Sequence, residues 1–232
     1  ITFTTPQTRD NATARNLLAN LLETSTHRYP TQTALARQLA NLYGAYVGMG
    51  VGRVGRLHTV RLRASFVNDQ IAGTNLFDQV VDLINEILFH PLIDDNEFDG
   101  PTFRIQAHNL EQTITALYDD KQFYANRQLM NLYYPDDSIM RVPSFGQVAD
   151  LAKLTAQNLV KVYQDMIEHD RVDIFVLGDV DPTTVKEALG QLPFIPRQVG
   201  TMRPFYQQAL YPTVQRQVEH QPVVQAKLNL GY

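Results

Sequence analysis

The feature that most constrains the fold is a change of hydrophobic period near Ala45. Before it, apolar residues recur at helical spacing. Ala14, Leu17, Leu18, Leu21 and Leu22 form one stripe across residues 11–24, which predicts an amphipathic helix. Leu35, Leu39 and Leu42 predict a second helix over 33–43, with Gly44 placed to end it. After Ala45 the period falls to two. Residues 46–53 alternate Gly48, Gly50 and Gly52 with larger residues. Residues 58–66 put Val60, Leu62, Ala64 and Phe66 on one face and Arg61, Arg63 and Ser65 on the other. Residues 52–56 supply the turn between these two strands.

The remainder adds helices. Residues 76–90 carry Phe77, Val80, Ile84, Ile87 and Leu88 on a stripe, with Pro91 beyond. Asp94-Asp95-Asn96 places acids at the start of a long helix reaching about residue 117, which suits the helix dipole. Further helices are expected after Asp119-Asp120 to about 132, over 145–151, and from the N-cap Thr155 to about 169. A short β-prone run, residues 1–5, precedes Pro6, and residues 173–177 form an apolar strand. Asp181-Pro182 then reads as an N-cap with proline at the first helical position. Residues 192–211 are proline-rich and read as a linker, and residues 223–232 read as a final strand. The order fits neither a regular βαβ alternation nor a solenoid repeat. It predicts an α+β domain: a mainly antiparallel sheet with helices packed on one face.

Composition removes several classes of function. The 232 residues suffice for one large domain or two small ones. A net charge of −4 gives no electrostatic case for nucleic acid or an anionic membrane, and no apolar run approaches a membrane span. The absence of cysteine excludes disulfides, thiolate metal sites and a thiol nucleophile, and allows a reducing, cytoplasmic setting. No basic segment followed by an apolar stretch marks a signal peptide, and the opening at Ile1 without an initiator methionine implies a piece of a longer protein.

The first helix carries the chemical question. Asn16 and Asn20 are four residues apart and share a face with Glu23, opposite the leucines. Two histidines at that spacing hold zinc, and a glutamate beside them acts on the bound water. Asn16 and Asn20 are neutral amides and Ala19 carries no proton acceptor, so ligands and base are both missing. On these residues alone the stripe also reads as the polar side of an amphipathic helix. His108 with Glu111 is a near miss for a metal pair and reads as solvated, and Glu168-His169-Asp170 reads as a surface turn. The six histidines (27, 58, 90, 108, 169 and 220) show no mutual metal spacing. Gly48-Met49-Gly50-Val51-Gly52 lacks the Lys-Ser/Thr of a phosphate loop. A glycine face on a strand permits close backbone approach, within the domain or by an added extended peptide, and that makes Tyr46, Gly48, Gly50 and Gly52 a candidate peptide-binding edge. Arg53, Arg56, Arg61 and Arg63 read as a solvated strand face.

Several segments match one family in order. Residues 14–30 resemble the helix A-H-F-L-E-H-M-L-F-K-G-T-x-x-Y/F-P of the pitrilysin/insulinase (inverzincin, HxxEH) zinc metallopeptidases. Leu42-Tyr43-Gly44-Ala45-Tyr46 resembles the stretch leading into that family's edge strand. Residues 80–95, 109–120, 144–159 and Ile-Phe-Val-Leu-Gly-Asp-Val-Asp-Pro at 174–182 resemble later segments. The resemblance covers roughly residues 10–190. It implies a metallopeptidase-like (mitochondrial processing peptidase/LuxS-like) two-layer domain. It also places the family's zinc ligands at Asn16, Asn20 and Thr113 and its base at Ala19, so the expected member is degenerate and non-catalytic, with no cofactor. Such members pair with an HxxEH-bearing pitrilysin-like subunit or a second copy as heterodimers or scaffold halves, bacterial ones among them, and bind peptides. On this resemblance residues 1–200 are the peptidase-like domain, 201–222 a linker, and 223–232 the first strand of a second repeat. The other expectation is an active zinc metallopeptidase whose ligands lie outside the motif or in a missing half; zinc is a cofactor only there.

Overall fold

The computed structural model describes all residues except Asp137, Gln198, Val199, Gln208, Ala209, Pro212 and Val223. The elements run β1 (Thr2–Pro6), α1 (Asn11–Leu22), α2 (Gln32–Asn41), β2 (Tyr46–Val54), β3 (Leu57–Ser65), α3 (Asp69–Ala72) and α4 (Leu76–Phe89). They continue with β4 (Ile93–Asp94), β5 (Glu97–Phe98), α5 (Gly100–Leu117), α6 (Lys121–Tyr133), a 3-10 turn (Ile139–Arg141), α7 (Val148–Leu151), α8 (Ala156–His169), β6 (Arg171–Asp173) and α9 (Pro182–Gly190).

The main sheet has the order β2-β3-β1-β6, and every neighbouring pair is antiparallel. Its register puts Met49 opposite Leu62 and Val51 opposite Val60. Phe3 lies opposite both Val60 and Val172. These apolar residues face α1, α4, α5 and α8, and the core lies between the two layers. The sheet and its helical cover are the α+β architecture expected.

Local chemistry sets the boundaries. Thr155 and Asn158 form a reciprocal capping box on α8. Asp181 accepts from the Thr184 amide with Pro182 at the first turn of α9. Gly55 turns the β2–β3 hairpin at φ +56, and the Pro204 carbonyl, which accepts from the Arg56 amide, stands where its Cβ would be.

Three expectations are corrected. The long helix does not begin near Asp94: Asp95 and Asn96 adopt positive φ and turn the β4–β5 hairpin, a conformation these two residue types tolerate. The helix starts after Asp99, which accepts from the Thr102 amide and hydroxyl. Strand β6 covers Arg171–Asp173 rather than 173–177. Its ladder with β1 ends at the pair Thr2–Asp173, and no other described strand lies beside Ile174–Leu177. Residues 224–232 form no strand; Asn229 accepts from Gln122 and Gly231 packs on Tyr133 of α6. A strand needs a neighbour's backbone, and this segment meets helix side chains instead. Val223 lies outside the described residues.

Gly146 fixes where α1 sits. Its φ is +88, and a Cβ there would stand 2.5 Å from the Thr13 Cα. Gly146→Ala is therefore expected to lower stability by about 1–3 kcal/mol, measured by denaturant unfolding, while Gly178→Ala, with nothing within 4 Å of the added Cβ, serves as the tolerant control.

Candidate functional site along helix 1 and the sheet edge

Helix α1 packs against β2 and β3 on one side and α5, α7 and α8 on others. Ala12, Thr13, Leu17, Leu18, Ala19 and Leu22 are fully buried. The stripe of Asn16, Asn20 and Glu23 does not point away from the protein, as amphipathic spacing suggests; all three are half-buried. The Asn16 amide donates to the Phe145 carbonyl at 2.9 Å. Glu23 reaches the sheet, accepting from the Met49 backbone N–H at 2.7 Å. The polar stripe thus runs from the loop before α7 to strand β2. Burial pushes the Glu23 carboxyl above its usual range, and the Met49 N–H pulls it partly back.

The four residues that the sequence resemblance assigns to ligands and base, Asn16, Ala19, Asn20 and Thr113, do not fit zinc. The Asn16 nitrogen is committed as a donor to a carbonyl. The Ala19 methyl belongs to the hydrophobic core. Asn20 offers an amide, and its backbone carbonyl takes the Thr24 hydroxyl. Thr113 lies on the exposed side of α5, donating to Asn109 one turn back. None supplies imidazole, thiolate or carboxylate. Among the described residues no three His, Asp or Glu side chains gather in a metal-binding group.

Strand β2 lies at the edge of the sheet, paired among the described residues only with β3. In an antiparallel ladder each residue directs its N–H and C=O to the same side. The Met49 N–H goes to Glu23, so Val47, Met49, Val51 and Arg53 direct their backbone groups to the open edge, while Tyr46, Gly48, Gly50 and Gly52 pair with β3. The four residues singled out in the sequence therefore form the outer face of the strand rather than its free donors and acceptors. The Tyr46 ring lies over Gly48, where a Cβ would meet its hydroxyl, and Gly50 faces open space.

The chain is similar to known proteins over nearly its whole length. No family model matches it. It is 29% identical over 231 residues to the "Probable inactive metalloprotease YmfF" of Bacillus subtilis (strain 168), covering 98% of this chain and 54% of that protein. A conserved protein from Enterococcus faecalis V583 superposes with a TM-score of 0.87 at 37% identity, over 92% of this chain and 50% of the other. The inactive domain of an M16 peptidase from Pseudomonas fluorescens superposes with a TM-score of 0.60 at 13% identity, over 88% and 47%, and shows the fold. The fold is that of an M16 peptidase domain. The chain spans about half the length of the relatives it matches.

The domain also holds a buried polar cluster that sequence reasoning missed. Arg15, on the helix face turned toward β3, donates from Nε to His58 Nδ1 at 3.1 Å and from Nη2 to Asp170 at 2.5 Å. Arg15 and Asp170 are 3% and 4% exposed and His58 is fully buried. His58 Nε2 lies 2.8 Å from the Ser144 carbonyl. Nδ1 accepts, so Nε2 carries the proton and the ring is neutral. Burial first, and the Arg15 charge second, push His58 down to about 4. Burial likewise pushes the Asp170 carboxyl up, and Arg15 pulls it down. Asp170 is thus a buried ion-pair partner, not part of a surface turn. The available signal was a charged residue, Arg15, inside the apolar stripe. Arg53 departs from the solvated reading too: it is half-buried and donates to the Met140 and Val142 carbonyls, whereas Arg61 and Arg63 are exposed. His108 and Glu111 are an exposed pair 4.0 Å apart.

Two outcomes follow from the cluster. Asp170→Asn leaves the Arg15 charge buried without its counter-ion and is expected to cost about 3–5 kcal/mol, read from urea unfolding. His58 binds a proton more readily unfolded than folded, so its contribution is complete above pH 6.5 and is lost as pH falls toward 4. That window amounts to about 3 kcal/mol, and the wild-type slope of stability against pH should exceed that of His58→Gln there.

Proposed function

We propose that this domain is a non-catalytic half of a pitrilysin-like assembly. It lines a peptide-holding chamber opposite a second pitrilysin-like domain that carries an intact HxxEH helix, and it presents the β2 edge to extended peptides. The observation that carries this reading is the pairing of two features in one place. The stripe of Asn16, Asn20 and Glu23 runs to the open edge of β2, and the family's ligand and base positions hold Asn16, Ala19, Asn20 and Thr113. An extended peptide would lie beside a helix whose expected ligand and base positions offer no group for zinc or for proton transfer. Similarity to proteins described as inactive, and to solved chains about twice this length, supports the same reading.

In this role the domain needs no metal of its own. An added strand would gain main-chain hydrogen bonds from Val47, Met49, Val51 and Arg53, and the open space above Gly50 would admit its side chains. Absence of cysteine suits a reducing bacterial cytoplasm.

Elemental analysis of the purified protein should find only sub-stoichiometric zinc, and co-expression with an HxxEH-bearing pitrilysin-like subunit should yield a one-to-one complex on size-exclusion chromatography. Hydrolysis of an unstructured peptide by this protein alone, abolished by a chelator, would refute the assignment.

A further inference from the structure

The edge of β2 is not simply open. Its outward donors include the N–H groups of Val47, Met49 and Val51, of which only that of Met49 has a partner among the described residues, the Glu23 carboxylate at 2.7 Å. We infer that Glu23 is a displaceable cap on this edge, its oxygen standing where the carbonyl of an incoming strand would bind. This rests on the reading that the β2 edge receives an extended peptide.

Three physical points favour a cap over an incidental contact. First, Glu23 is the C-terminal capping residue of α1, the end of a helix at which a carboxylate is disfavoured by the dipole. Second, the side chain is half-buried and forms no ion pair with any described Lys or Arg. The Met49 N–H is its sole hydrogen-bond partner among the described residues, so the position is explained by what it does to β2. Third, carboxylate and peptide carbonyl oxygens are the same class of acceptor for a backbone N–H. Glu23 can therefore hold the donor satisfied until a strand supplies its own oxygen, and rotation about the side-chain bonds releases it without moving the helix. An edge strand with unpaired groups invites pairing with other copies, and a cap at its central donor closes that route while leaving a peptide able to compete.

The test is made on the intact protein, with a fluorescein-labelled decapeptide of alternating valine and threonine as probe. Glu23→Ala should tighten probe binding about tenfold, the worth of a charge-assisted hydrogen bond no longer displaced. Glu23→Gln, which keeps a weaker acceptor, should fall between. Without probe, hydrogen–deuterium exchange at the Met49 amide should accelerate in Glu23→Ala and not at Gly50, whose backbone pairs with β3. Equal dissociation constants in wild type and Glu23→Ala for a probe whose binding is lost on backbone N-methylation, or unchanged exchange at Met49, overturn the cap. Failure of the peptide-edge reading looks different. The probe then binds wild type and variant as well when its backbone is N-methylated, while faster Met49 exchange in Glu23→Ala still supports Glu23 as the group that closes the edge.

Discussion

The interaction on which the rest depends is the buried contact of Arg15 with Asp170 and His58. It joins residues 43 and 155 positions apart in the chain, and so ties α1 to β3 and to the junction of α8 with β6. A buried guanidinium is tolerable only when its donors meet acceptors and its charge a counter-charge. Asp170 supplies the charge, and a neutral His58 supplies an acceptor that adds no second cation. His58 in turn hands its remaining proton to the Ser144 carbonyl, which fixes the loop that bears Phe145. That loop meets the Asn16 amide. One charged residue thus orients the helix, and with it the stripe that approaches β2.

What was legible in the sequence follows from which physics is local. The change of period at Ala45 was sufficient for the helices, the β2–β3 hairpin and the α+β class, because amphipathic patterning records burial directly. Capping residues at Thr155 and Asp181 marked helix starts for the same reason: the partner is three residues away. The misses are non-local or conformational. Asp94 and Asp95 looked like helix-start acids, and only the positive φ of Asp95 and Asn96 reveals a turn. Residues 174–177 have strand composition but no neighbour to pair with. The Arg15 cluster needed knowledge that residues 58 and 170 meet α1. For the site, spacing placed Asn16, Asn20 and Glu23 on one face correctly, but the destination of that face, an edge strand rather than solvent, depends on how α1 packs.

The stripe itself is held by neutral amides and one hydrogen-bonded carboxylate. Two half-buried imidazoles and a glutamate with no ion between them would carry unpaid desolvation or mutual repulsion. Asparagine carries no charge to desolvate, and its amide can donate to a backbone carbonyl, as Asn16 does to Phe145. Alanine at position 19 goes further and joins the core. The remaining ionisable member, Glu23, survives half-buried because a backbone N–H is available at the sheet edge. The geometry of helix beside strand is therefore stabilised by a hydrogen bond internal to the domain. A surface held this way is ordered before any ligand arrives, which lowers the ordering cost that binding must overcome.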